Sequence, residues 1–122
     1  MKVLLSIKPE YAELILSGKK KFEFRKGIFK RPVKTVVIYA TLPVGKIIGE
    51  FDIDEVIFRD TETLWQETKK HAGISKVFFD SYFNNRNKGF AIKVKNPKRY
   101  ENPMTFKDFL PNSIPPQSYR YI

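Results

Sequence analysis

Between Ser6 and Arg25 the side-chain pattern changes period once, and that change constrains everything around it. Val3, Leu5 and Ile7 alternate with Leu4, Ser6 and Lys8, so residues 2–7 read as a strand. Pro9 suits the first turn of a helix, where its missing N–H is not needed. Tyr11, Leu14 and Ile15 then share one helical face, and Gly18 supplies the left-handed residue that stops the helix. From Lys20 the period is two. Phe22 and Phe24 point one way; Lys21, Glu23 and Arg25 point the other. Charges on the open face of a strand commonly just keep it solvated and discourage edge pairing. Here a helix this short returns the chain close to where it left. Lys8 before it and Lys19 and Lys20 after it then flank one cleft, which favours a row facing a charged ligand.

The chain beyond is rich in strands. Thr35 to Ala40 is a continuous β-branched and aromatic run, the mark of a strand buried on both faces. Tyr39, Ala40 and Thr41 leave the core at a Thr41–Gly45 turn and are expected at the same cleft as Lys8. Lys46 to Phe58 is a long strand, and Gly49 in its middle marks a bulge or bend that curls a sheet. Its Glu50, Asp52 and Asp54 row reads as a solvated face. Asp60 caps a helix running to about Ala72, with Glu62 in the first turn and Lys69 and Lys70 in the last. Leu64, Trp65 and Thr68 form its inner stripe. Ser75 caps a shorter helix carrying Phe78, Phe79, Tyr82 and Phe83. These aromatics are chiefly core, with the Tyr82 hydroxyl available to a pocket. Phe90, Ile92 and Val94 alternate with Lys93 and Lys95 in another strand. Asn96 to Pro103 continues it irregularly with Tyr100 inward, Phe106 to Leu110 is one helical turn, and Gln117 to Ile122 is a closing strand. Five to six short strands with helices between them imply an α+β fold: a small, partly closed β-barrel with short helices packed around it.

Composition narrows the function. The 122 residues are most economically one domain, and they hold no cysteine, which removes disulfides, thiol nucleophiles and thiolate metal sites. A single His71 without a carboxylate cluster argues against a metal centre, and no cofactor motif is present. No signal segment and no run of membrane-spanning length is visible, so a cytoplasmic location and no membrane partner are expected. The net charge of +10 is uneven: +7 in residues 1–34, −3 in 35–72 and +6 in 73–122. Two basic blocks enclosing an acidic middle form one positive surface for a polyanion if they meet in space.

Taken together, Ser6-Ile7-Lys8-Pro9, Ile15-Leu16-Ser17-Gly18 with its lysines, Phe22-Glu23-Phe24-Arg25, Val37 to Ala40, Val44 to Phe51, Gly73-Ile74-Ser75 with Tyr82-Phe83, and Pro116-Gln117-Ser118 resemble the ASCH domain family of the PUA-like superfamily. The resemblance covers nearly the whole of residues 1–122. It implies a β-barrel with helices round a cleft, and RNA binding with a regulatory role in transcription or translation. One branch of the family hydrolyses N4-acetylcytidine with a Lys, a Thr and a Glu. The resemblance places that lysine at Lys20, but the threonine falls at Glu23 and the glutamate near Ala72-Gly73-Ile74, so two roles are unfilled. Other members are ribonucleases, whose chemistry needs little beyond a basic groove and an acid–base pair.

The leading expectation is a module that binds RNA, or single-stranded nucleic acid in general, with a modified nucleoside as a narrower ligand. Lys8, Lys20, Lys21 and Arg25 hold phosphates. Tyr39, Tyr82 or Tyr119 stacks on a base, and Glu23 orients Arg25 or accepts from a base edge. The alternative is a hydrolase, amidohydrolase or ribonuclease, in which Lys20 and Glu23 are the catalytic pair.

Overall fold

The computed structural model describes residues 1–122. Six strands form one sheet in the order β2-β5-β4-β3-β1-β6. They are β1 (Lys2–Ile7), β2 (Phe22–Arg25), β3 (Thr35–Ala40), β4 (Lys46–Asp60), β5 (Lys88–Thr105) and β6 (Tyr119–Tyr121). Between them lie α1 (Pro9–Leu16), α2 (Thr61–Thr68) with a single 3-10 turn at Lys69–His71, α3 (Lys76–Tyr82) and α4 (Phe106–Phe109). The β1–β3 pair is parallel and the other pairs are antiparallel. The sheet curls into a half-barrel of the PUA-like kind, with α1 closing its inside and α2, α3 and α4 packed outside it.

Local chemistry explains the boundaries. Pro9 opens α1, and Gly18 closes it at φ +83°. The Asp60 carboxylate accepts from the Thr63 N–H at 2.9 Å and starts α2. The Ser75 hydroxyl does the same for α3 through Phe78 N–H at 3.1 Å. Such caps each stabilise a helix by about 1 kcal/mol. Gly49 sits where the register of β4 slips against both neighbours. A Cβ there would lie 2.6 Å from the Lys98 carbonyl oxygen and 2.8 Å from a Leu16 methyl. The glycine therefore lets the β4–β5 ribbon bend against α1, which closes the curl.

Three apolar clusters fill the molecule. The largest joins Val3, Leu5 and Ile7 of β1 to Val36, Ile38 and Ala40 of β3, with Ala12 and Ile15 of α1 plugging the barrel. A second packs α2 and α3 on the outer face of the β2-β5-β4 ribbon through Phe22, Phe24, Leu64, Phe79, Phe83 and Ala91. A third lies under α4 and contains Leu4, Val37, Ile47 and Phe106. This last cluster corrects one expectation from sequence. Tyr39 does not leave the core: it is 6% exposed and its ring meets Phe106 edge-on at 5.4 Å. In a strand buried on both faces, the position's parity sends Tyr39 to the face opposite Ile38 and Ala40.

Candidate functional site

A pocket of about 400 Å³ opens between α1, the start of β2 and α3. Its position follows from the turn that ends α1. The N–H groups of Lys19 and Lys20 both donate to the Leu14 carbonyl, at 3.0 and 2.9 Å, folding the chain sharply back. The Lys21 N–H then donates to the His71 carbonyl at 2.9 Å, tying the head of β2 to the turn after α2. Because β2 is an edge strand, side chains from both of its faces reach the space beside its open edge.

Glu23 and Arg25 enter that space together from one face of β2. The Arg25 Nη2 lies 3.0 Å from Glu23 Oε2 and donates to the Ser6 carbonyl at 3.0 Å. Its Nη1 donates to the Ser118 hydroxyl at 3.4 Å, and its Nε is buried without a partner. Arg25 thus bridges β2 to the end of β1 and the approach to β6, across the mouth of the half-barrel. Glu23 is 8% exposed. A carboxylate at this depth needs a cation within reach, and Arg25 supplies it.

Lys20 enters from the other side and is 1% exposed. Its Nζ donates to the Ala72 carbonyl at 2.6 Å and lies 4.9 Å from the Phe24 ring centre and 5.5 Å from that of Tyr11. Gly73, at φ +69°, makes room for its stem: a Cβ there would stand 2.5 Å from Lys20 Cγ. Burial disfavours the ammonium and lowers its pKa to about 8, while the nearby Glu23 charge works in the opposite direction. A lysine so placed exchanges a proton near neutral pH, which an exposed lysine does not.

The remaining walls are aromatic and hydroxylic. Tyr11 from α1 and Phe78 from α3 meet edge-on at 5.4 Å, and Tyr82 follows Phe78 one turn later. Burial raises the Tyr82 and Tyr11 hydroxyl pKa values. Lys8 stands at the rim with its Nζ 5.5 Å from the Phe78 ring. Ser6, Thr41 and Gln117 complete the polar lining. Nowhere do three His, Cys, Asp or Glu side chains gather as a metal-ligand cluster, and no helix is long and apolar enough to cross a membrane.

The pocket brings together Lys8, Lys20, Glu23, Arg25 and Tyr82 from the residues singled out by sequence. It does not include Lys21, Tyr39 or Tyr119. Lys21 is exposed, stands one residue before β2 and does not line the pocket. Tyr119 packs its ring against Phe29 and Tyr121 at 5.9 and 5.6 Å, away from the pocket. Lys20, by parity a partner of Phe22 and Phe24, goes under Ala72 instead of joining an outward basic row. Lys93 and Lys95 lie one strand over; Lys93 pairs with Asp54 at 3.6 Å and neither lines the pocket. Tyr11, Phe78 and Thr41 also line the pocket, and local sequence gives little sign of it. Tyr11 and Phe78 follow ordinary core spacing, and Thr41 stands where the chain leaves the core beside the cleft. The pocket they line forms only where α1 and α3 face each other.

The ASCH domain model matches residues 5–103. The chain belongs to the ASCH domain family. An ASCH domain-containing ribonuclease from Zymomonas mobilis is 33% identical over 122 residues, covering 98% of this chain and 82% of the relative. The crystal structure of the ASCH protein from Zymomonas mobilis superposes with a TM-score of 0.92 at 30% identity, covering 99% of this chain and 87% of that one. A large ribosomal subunit protein uL22 from Ureaplasma parvum is 28% identical over 108 residues; this ASCH domain chain spans 35% of its length.

Proposed function

We propose that the pocket binds single-stranded RNA and cleaves its backbone. The observation that carries the reading is Lys20: a lysine buried against two rings, with its pKa lowered to about 8, beside the Glu23–Arg25 pair. Holding phosphate alone calls for an exposed ammonium, and burying one is costly. The cost has a use where a proton must be moved. The ribonuclease from Zymomonas mobilis, similar over nearly the full chain, supports RNA as the substrate.

In this reading Tyr11, Phe78 and Tyr82 offer rings to one base, and Lys8 meets a phosphate. The ribose 2′-oxygen attacks the phosphorus while its proton passes to the Glu23 carboxylate, held in place by Arg25. The bond from phosphorus to the 5′-oxygen breaks, and the Lys20 ammonium protonates the departing oxygen. The products are a 2′,3′-cyclic phosphate and a free 5′-hydroxyl. The amidohydrolase alternative has less support, because Glu23 stands in the place of the threonine and a backbone carbonyl, that of Ala72, faces Lys20.

Gel analysis of an end-labelled single-stranded RNA tests this. Wild type is expected to cleave it, and Lys20→Met and Glu23→Gln to lose at least roughly 100-fold in rate with circular dichroism unchanged. The wild-type rate should fall as pH rises through about 8, because the acid must carry its proton. Folded variants that cleave as fast as wild type would overturn the proposal.

A further inference from the structure

We infer that the stacked pair Phe58–Phe90 is a second, base-stacking subsite for the same RNA strand, continuous with the pocket through Arg25; this rests on the pocket being the RNA site. The two rings lie 4.4 Å apart at 27°, in parallel stacking on paired strands. Phe58 is 46% exposed and Phe90 half-buried, and neither belongs to any of the three apolar clusters. Their stack therefore fills no core. Register gives its place: Arg25 of β2 is opposite Phe90 of β5, which is opposite Phe58 of β4. Directly opposed residues project to the same face, so the three side chains form a row leading away from the pocket.

One cation stands against the pair, with Asp60 opposite it in the register, and a second stands at the pocket's rim. Lys88, exposed, holds its Nζ 5.6 Å from the Phe58 ring, and Lys26 holds its Nζ 4.9 Å from the Tyr82 ring at the pocket's rim. An open ring beside an ammonium group matches what single-strand readers present: a flat apolar face for a base and a positive charge for the phosphate next to it. A protein partner matches the apolar rings but not the cations. A strand with one base in the pocket passes Arg25 and sets a neighbouring base on this pair.

The test uses fluorescence anisotropy with two uncleavable probes, a single nucleotide and a 2′-O-methyl RNA of about six nucleotides. Phe58→Leu/Phe90→Leu keeps apolar bulk but removes the rings. It is expected to weaken the longer probe about ten-fold or more and to leave the single nucleotide unchanged. Lys8→Ala is expected to weaken both. A Phe58→Trp reporter should lose fluorescence when the longer probe binds. If the double variant binds the longer probe as wild type does while Lys8→Ala weakens both, the pocket stands and the subsite is refuted. If Lys8→Ala affects neither probe, the pocket reading fails and the subsite with it. If sedimentation shows wild type self-associating and the double variant not, the face belongs to a second copy, which also overturns the inference.

Discussion

Replacing Lys20 by Met removes the buried ammonium and keeps a stem of similar shape. Between about 8 and the ordinary 10.5, the lowered pKa of Lys20 corresponds to about 3 kcal/mol of disfavour for its charged form. The substitution also leaves the Ala72 carbonyl unpaired, which costs about 1–3 kcal/mol. The two effects oppose each other, so Lys20→Met should lie within about 2 kcal/mol of wild type at neutral pH. The pH dependence is more discriminating. Below about 8 both folded and unfolded wild type carry the Lys20 proton, and the burial penalty is fully present. Between about 8 and 10.5 the folded form has lost that proton while the unfolded form keeps it. The unfolded state then binds more protons, so wild-type stability rises relative to the variant by up to about 1.4 kcal/mol per pH unit. Urea titrations of both proteins, followed by Trp65 fluorescence at neutral pH and at about pH 9 and 10, give the difference directly, and all other titrating groups cancel. A difference that stays flat across that range would refute the reasoning.

Two further outcomes follow from the same geometry. Gly73→Ala forces a side chain into positive φ and against Lys20 Cγ, and should destabilise the protein by about 1–3 kcal/mol, read as a lowered urea midpoint. RNA affinity should fall with salt with a shallow logarithmic slope of about −1 to −2, as two or so phosphate contacts imply. Anisotropy titrations at several salt concentrations would measure it.

Much of the fold was legible because local signals agreed with one another. The Pro9 start, the Gly18 stop, the Asp60 and Ser75 caps and the Gly49 bend are each dictated by backbone chemistry and each occurs where the sequence puts it. Even the long β4 and β5 ribbon follows from alternation, although β5 runs unbroken to Thr105. The site was legible only in part. Glu23 and Arg25 were visible because alternation along a strand fixes a face. Lys20 was visible as a residue but not as a buried one. Its burial depends on the Ala72–Gly73 turn, fifty-odd positions away, meeting the head of β2. Tyr39 misled because an aromatic at a strand's end serves either a core or a cleft, and only the packing of α4 decides. Tyr11 and Phe78 carry ordinary helical core spacing, and nothing local distinguishes a ring that lines a pocket from one that fills a core.

The most direct measurement is a crystal structure with a short RNA carrying a single 2′-deoxy sugar, which can bind but not be cleaved. The account predicts a base between Tyr11, Phe78 and Tyr82, with the deoxy position facing Glu23 and the bridging 5′-oxygen within hydrogen-bonding reach of Lys20 Nζ. An RNA lying along Lys93 and Lys95 with the pocket empty would contradict it.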